Sequence, residues 1–390
     1  MAEDLAFTGL KVLDMAQGVA GPHCGLLLAQ HGAEVTKLEP LGGDWGRDLG
    51  TSYGDLSAFG AVYNRGKRSI AVDLKAEEGL AVAKRLAAEA DVVLESFRPG
   101  VMARFGLDYA SVAKENPSVV YMSVSGFGQD GPYSKLPATD SVIQAFSGLM
   151  AVNKDHRGVP QRINVIAVDI FTGLYAFQGV APALYRRLRT GKGVHLDISL
   201  MQSALAFLSA KMIERQLDGP EMIALGAPLG TYAASDGFFN MNARRDQHFK
   251  ALMEMVGRPD MAEDPRYQTP DGRIQHSDEL DAVIRPAFAE RTTEEWLADL
   301  KAHDILAARV NDFPDILADP HVQAREIVRT IQHRGIGEIP MPLIPGAPTP
   351  DGERVQAPHL GQHTETILRE LGYEPDAIRA MIESGVALAA

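Results

Sequence analysis

Cys24 is the only cysteine in the 390 residues. An internal disulfide and a cysteine-rich zinc site are therefore both excluded, and a reducing cytoplasm is the expected location. An excess of basic charge is also missing. Lys and Arg number 38 against 51 Asp and Glu, for a net charge of −13. That balance argues against nucleic acid and against an anionic membrane surface as partners. It leaves room for a small polyanionic ligand held by a few local arginines. The opening "MAEDLAFTGLKVLD" has no basic segment leading into an apolar one, so no signal peptide is expected. Neither an internal repeat nor a low-complexity tract is present. Long apolar runs are nearly absent too, the exception being "NVIAVDIFTGLYAFQGVAPALY" at 164–185. Asp169, Gln178 and Pro182 interrupt it, and it is expected to be a helix buried in the core of a soluble domain, not a membrane span.

The chain is longer than one hydrophobic core usually serves, which predicts two domains. Its first half alternates strand and helix patterns. "LKVLDM", "AEVTKLE", "RSIAVDL", "DVVLESF" and "SVVYMSVSGFG" read as strands, with "HCGLLLAQHG" and "AEEGLAVAKRLAAEA" as helices between them. This rhythm predicts a parallel sheet covered by helices, with ligands at the carboxyl ends of its strands. Those ends are "DMAQGVAGP", "ESFRPG" and "SGFGQDGP". Past residue 200 a helical segment leads into the Gly/Pro-containing "GPEMIALGAPLGTYAASDG", and 246–330 reads as mostly helical. "TTEEWLADLKAHD" opens with a capping-box pattern. "PMPLIPGAPTP" reads as an extended connector, and "HTETILRELGY" and "EPDAIRAMIESGV" as two last amphipathic helices.

Several residues carry possible chemistry. Glu39 ends the second strand, where a dinucleotide fold keeps its ribose acid. The first loop, however, runs Gly18-Val19-Ala20-Gly21-Pro22 and lacks the G-x-G-x-x-G spacing, so classical NAD binding is not expected. His359 and His363 have a metal-ligand spacing, but Gly361 lies between them and no third ligand is near in sequence. A solvated helix start is the simpler reading, and no metal is expected. His195, inside a strand, reads as structural. Arg186, Arg187, Arg189 and Lys192 suit the negative end of the long apolar helix. Arg98 and Arg104 are ordinary surface cations or, beside a strand end, phosphate ligands. Asp169 has two compatible readings. As an N-cap, it would accept backbone N–H bonds at a helix start. As a carboxylate nucleophile, it would be kept ionised by the same donors and by the helix dipole while being stripped of water.

The ordered set "GLKVLDMAQGVAGP", "HGAEVTKLEPLGGDWGR", "NRGKRSIAVDLK", "DVVLESFRPGVMARFGLDY", "VVYMSVSGFGQDGPY", "IAVDIFTGLYAFQG", "RTGKGVHLDISLMQSAL" and "HTETILRELGY" resembles the class III CoA-transferases. That family includes formyl-CoA and carnitine CoA-transferases and the divergent 2-methylacyl-CoA racemases. The resemblance implies an α/β fold in which a large domain with a Rossmann-like parallel sheet accompanies a smaller, mostly helical α+β domain. It implies a large CoA-binding domain at 1–200, a linker helix at 201–225 and a small domain at 226–330. A connector and C-terminal helices at 331–390 would return to the large domain. Two chains would interlock as a homodimer.

The resemblance also implies that Asp169 is the nucleophile. Val19, Ala20, Val72, Lys75, Ser96, Phe97, Arg98 and Arg104 would contact coenzyme A, which is part of the substrate; no tightly bound cofactor is implied. Ser96 stands where relatives usually carry Asn, and Pro40 where some carry Arg. The partners would be an acyl-CoA and a small carboxylic acid.

Racemase relatives place a histidine before the aspartate of a "GHD" segment. Here Thr139 precedes Asp140, and threonine cannot exchange a Cα proton near neutral pH. The transferase reading is therefore preferred, with a racemase or a non-catalytic acyl-CoA binding protein as alternatives. Backbone N–H groups of Gly126–Gly131 are candidate oxyanion donors. The "LGAPLGTY" loop would face the acyl group, and Arg244 and Arg245 are candidates for a second carboxylate on the substrate.

Overall fold

A computed structural model describes residues 5–155, 157–219 and 225–390. The chain divides into two compact units, 1–209 with 327–390, and 210–326.

The larger unit opens with β1 (Lys11–Asp14), α1 (Ala20–Gln30) and β2 (Glu34–Glu39). It continues with β3 (Arg68–Val72), α2 (Glu77–Glu89), β4 (Val92–Glu95), β5 (Val120–Ser125), α3 (Ala167–Thr190) and β6 (Val194–Ser199). Its last elements are α4 (Thr364–Glu370), α5 (Pro375–Glu383) and β7 (Ala387–Leu388). The sheet order is β7-β3-β2-β1-β4-β5-β6. Every pairing is parallel except β7, which runs antiparallel to β3 with Ala387 opposite Val72. The carboxyl ends of six strands therefore share one edge, the place where a parallel sheet offers a ligand site.

Alternation along the strands sorts two cores. Val12, Leu94, Val120, Met122 and Val124 face one way, onto Cys24 and Leu28 of α1 and Ala176 and Val180 of α3. Leu13, Ile70, Val72, Val93 and Tyr121 face the other way. They meet Val82 and Ala83 of α2 and Ile367, Leu368, Ile378 and Met381 of α4 and α5. The C-terminal segment thus belongs to the larger unit's own core.

The smaller unit builds an antiparallel sheet in the order Leu306–Arg309, Gly237–Asn242, Leu229–Ala234. Tyr232, Phe239, Phe249, Phe288 and Trp296 fill its core. The capping box at Thr292 and Glu295 is formed as the sequence predicts.

Four expectations need correction. The long helix α3 is not buried all round: it buries a stripe of Val168, Thr172, Gly173, Ala176, Val180, Ala183 and Leu184. Leu174, Tyr185 and Leu188 are exposed, Leu188 to 85%. The Pro-rich segment is not a plain connector: its first residues, 340–342, end the strand Gly337–Pro342, which pairs with Val328–His333 as a hairpin that the proline spacing concealed. The "LGAPLGTY" segment becomes strand from Leu229 onward; residues 220–224 of the neighbouring stretch lie outside the described residues. His359 and His363 do stand at a helix start, His363 being the residue just before Thr364–Glu370, but they are only partly exposed and both are engaged. His359 Nδ1 lies 2.7 Å from Asp55 Oδ1, and His363 Nδ1 accepts the Ser69 N–H at 3.1 Å.

Candidate active site

The loop after β1 is set on buried charge. Asp14, the last residue of β1, accepts the Ala16 N–H at 3.0 Å and pairs with Lys67 Nζ at 2.7 Å. Lys67 also donates to the Pro22 carbonyl at 2.9 Å. Lys37 donates to the Ala16 carbonyl and lies 2.9 Å from Asp44. Asp44 in turn accepts the Gly18 N–H at 2.7 Å. Burial works against the Lys37 charge, but Asp14, Asp44 and Glu39 overcome it and raise its pKa above the ordinary lysine range. Glu39 holds Arg47 through two bonds of 2.6 and 2.8 Å and accepts from Ser69 Oγ. It is therefore a structural acid with no free oxygen for a ribose. Gly18 has φ +79°, and any Cβ there would strike the Trp45 ring at 1.9 Å. This network fixes the path of Ala16–Ala20, and buried charges with partners on both sides are costly to disturb.

Val19 and Ala20 follow on that loop, and both are buried. Val72 ends β3 and is buried, whereas Lys75 is exposed in the next turn, its N–H donating to Asp73. Ser96 follows β4 and accepts the Gln17 N–H at 2.8 Å, tying the β1 and β4 loops together. Phe97 N–H donates to Glu95 at 2.8 Å. Arg98 and Arg104 are exposed. Arg98 also lines a cavity of about 300 Å³ with Glu95, Asp108, Tyr109, Gln129 and His195. Burial pushes the Glu95 carboxyl up to about 7. His195, in the same lining, is stacked on Tyr109 and lies 3.0 Å from Ser123 Oγ.

Asp169 is not an N-cap. Ile166 is the N-cap residue of α3 and makes no side-chain cap, and Asp169 is the third helical residue. The capping carboxylate is Asp140, whose Oδ2 accepts the N–H groups of Val168 at 2.7 Å and Asp169 at 3.3 Å. Gln144 holds the other oxygen of Asp140 at 2.6 Å. The expectation that helix donors would keep Asp169 readily ionised also fails: burial first, then the charge of Asp140, raises its carboxyl to about 7. Local sequence could not show this, because the capping residue lies 29 positions upstream of Asp169.

The first turn of α3 lies against α1. His23 Nδ1 donates to the Ile170 carbonyl at 3.0 Å, and Gly173 leaves space for His23 and the Ala20 carbonyl, each under 3 Å from where its Cβ would be. Ala20 thus lies one helical turn from Asp169. His23 and Tyr63, which stands edge-on to it at 5.3 Å, were missed by the sequence reading.

Other expected residues are already engaged or belong to the smaller unit. In the Gly126–Gly131 loop, Gly128 N–H donates to Ser125 and Gln129 N–H to Asp197, so two of its candidate oxyanion donors are committed. Arg187 pairs with Asp91 at 2.7 Å, and Arg186 donates to the Gly193 carbonyl. Arg244 and Arg245 are exposed at the start of Asp246–Met255 in the smaller unit. Among the described residues no group of His, Cys, Asp and Glu could hold a metal ion.

A sequence model described as CoA-transferase family III matches residues 7–364. The chain belongs to that family. A succinate–glutarate CoA-transferase of Agrobacterium fabrum is 34% identical, covering 93% of this chain and 95% of its own. An acetyl-CoA:oxalate CoA-transferase of Acetobacter aceti is 35% identical, with the same two coverages. The solved structure of a CAIB/BAIF family protein from Brucella suis matches with a TM-score of 0.84 and 33% identity, over 94% of this chain and 99% of that one. That likeness agrees with the mixed α/β fold and its mostly parallel sheet.

Proposed function

We propose that this CoA-transferase moves CoA from an acyl-CoA thioester to a carboxylic acid through covalent intermediates on Asp169. The single observation that carries the reading is the position of Asp169. It lies in the first turn of α3, one turn from the loop after β1, and that turn is capped by another residue. Its own carboxylate is therefore free for chemistry. Similarity to relatives named for succinate, glutarate and oxalate supports a short carboxylic acid as acceptor.

In this reading the Asp169 carboxylate attacks the thioester carbon, and the C–S bond breaks to give a mixed anhydride and CoA thiolate. The thiolate then attacks the aspartyl carbonyl, releasing the donor acid and leaving an aspartyl-CoA thioester. The acceptor carboxylate reverses both steps. Bond energies nearly balance at each stage, so neither ATP nor a metal is required, and exclusion of water protects the anhydride. CoA would lie along the carboxyl edge of the sheet, touching Val19, Ala20, Val72, Lys75, Ser96, Phe97, Arg98 and Arg104. The remaining free N–H groups of Gly126–Gly131 and the exposed Arg244 and Arg245 stay candidates for oxyanion and substrate contacts.

Among the described residues, Thr139, next to Asp140, has only Ser141 Oγ at 3.3 Å beside its hydroxyl, which offers no proton relay and favours transfer over racemisation. The protein is further proposed to act in the cytoplasm as an interlocked homodimer. Light scattering should then give twice the 42.1 kDa chain mass; a monomer at micromolar concentration would contradict it. The test of the activity itself is transfer of CoA from succinyl- or acetyl-CoA to a panel of mono- and dicarboxylates. Wild type should show it, and Asp169→Asn should not.

A further inference from the structure

Ile166, Asp169, Ile170 and Gly173 recur at the spacing that places residues on one face of a helix. The structure shows what that face meets. Ile166 and Ile170 pack in a cluster with Val19, Leu26 and Tyr63, and Gly173 lies against His23 and Ala20. Asp169, between the two isoleucines, is therefore turned toward the same ground as Tyr63.

Tyr63 ends the helix Ala58–Tyr63 and is only 8% exposed, its ring edge-on to His23 and stacked on Phe59. Its ring is buried, but its hydroxyl is not sealed from solvent and makes no hydrogen bond to any described residue, so it is open to a ligand. Burial, and then the charge of Asp169, pushes the hydroxyl up to about 12, so it remains a neutral donor at working pH. His23 cannot take its place with Nδ1, because that nitrogen already donates to Ile170.

We infer that the Tyr63 hydroxyl is a catalytic hydrogen-bond donor to the acyl oxygen of the bound thioester. The inference rests on Asp169 as nucleophile. As the Asp169 oxygen bonds to the thioester carbon, the carbonyl π pair moves onto oxygen. Tyr63 donates a hydrogen bond to that oxyanion without giving up its proton. The pair then re-forms the carbonyl, the C–S bond breaks, and CoA leaves as thiolate with the negative charge that Asp169 brought.

The test compares wild type with Tyr63→Phe, which keeps the ring and its packing. Single-turnover acylation of Asp169 by succinyl-CoA and acetyl-CoA is followed by mass spectrometry, and CoA affinity by calorimetry. The expected result is an acylation rate lowered about 10²-fold, the usual loss for one oxyanion donor. CoA Kd and thermal midpoint should be unchanged. Equal acylation rates in the two proteins would overturn the role of Tyr63 alone. A parallel fall in rate, CoA affinity and thermal midpoint would reduce Tyr63 to a packing residue. A wild type that binds CoA yet never acylates Asp169 would overturn the nucleophile and, with it, this inference.

Discussion

As the proposed nucleophile, Asp169 would need to be anionic, yet burial and the neighbouring Asp140 both favour its protonated form. The acylation rate should therefore rise with pH through about 7 and level off above it; a flat profile between pH 5.5 and 8.5 would contradict this. Asp140→Asn keeps an oxygen to cap the helix but removes the like charge. Its profile should have the acid limb displaced to lower pH, with the plateau rate retained. Stability carries the same signature. Because the folded-state pKa is raised, the stability that protonated Asp169 contributes is fully present below its unfolded value of about 3.8 and lost as pH rises through about 7. Asp169→Asn should consequently be more stable than wild type at pH 8, by up to about 4 kcal/mol, with the difference vanishing near pH 4. Denaturant melts at the two pH values check it. A nucleophile held at a cost to stability is a common trade in active sites.

At the scale of elements, the first turn of α3 and the loop after β1 are held together by the close contact of Gly173 with His23 and Ala20. Gly173→Ala would push a methyl to about 2.6 Å from the His23 Cβ and 2.8 Å from the Ala20 carbonyl. The expected cost is about 1–3 kcal/mol, with a drop in CoA affinity as Ala20 moves; an unchanged thermal midpoint would show that the helices are not so tightly joined. Lys67→Met strands Asp14 in the interior and should cost about 3–5 kcal/mol in urea unfolding. These elements were differently legible in the sequence. The strands and α1 were plain because apolar periodicity is a local signal. Asp169 stood out because a carboxylate in an apolar run is conspicuous. The carboxylate that caps its helix, Asp140, and the partners of the buried lysines, Asp14 for Lys67 and Asp44 for Lys37, were hidden, since apolar periodicity says nothing of which charges meet. The hairpin of Val328–His333 and Gly337–Pro342 was obscured by prolines at 340 and 342, which suggested a connector in place of a strand.

For the whole molecule, the informative feature is the return of the chain. Residues 327–390 complete the larger unit's core, and β7 closes the open side of β3. The sequence suggested that return only through family resemblance, because two amphipathic helices near the end of a chain do not reveal where they dock. Most of the proposed CoA contacts lie along one sheet edge between β3 and β4.

The claim on which everything else depends is the covalent role of Asp169. The most direct test incubates the protein with succinyl-CoA or acetyl-CoA, quenches it with hydroxylamine, and examines the Asp169 peptide by mass spectrometry. The account predicts a hydroxamate on Asp169 that forms only when a donor is present. An unmodified Asp169 in protein that is visibly transferring CoA would contradict it.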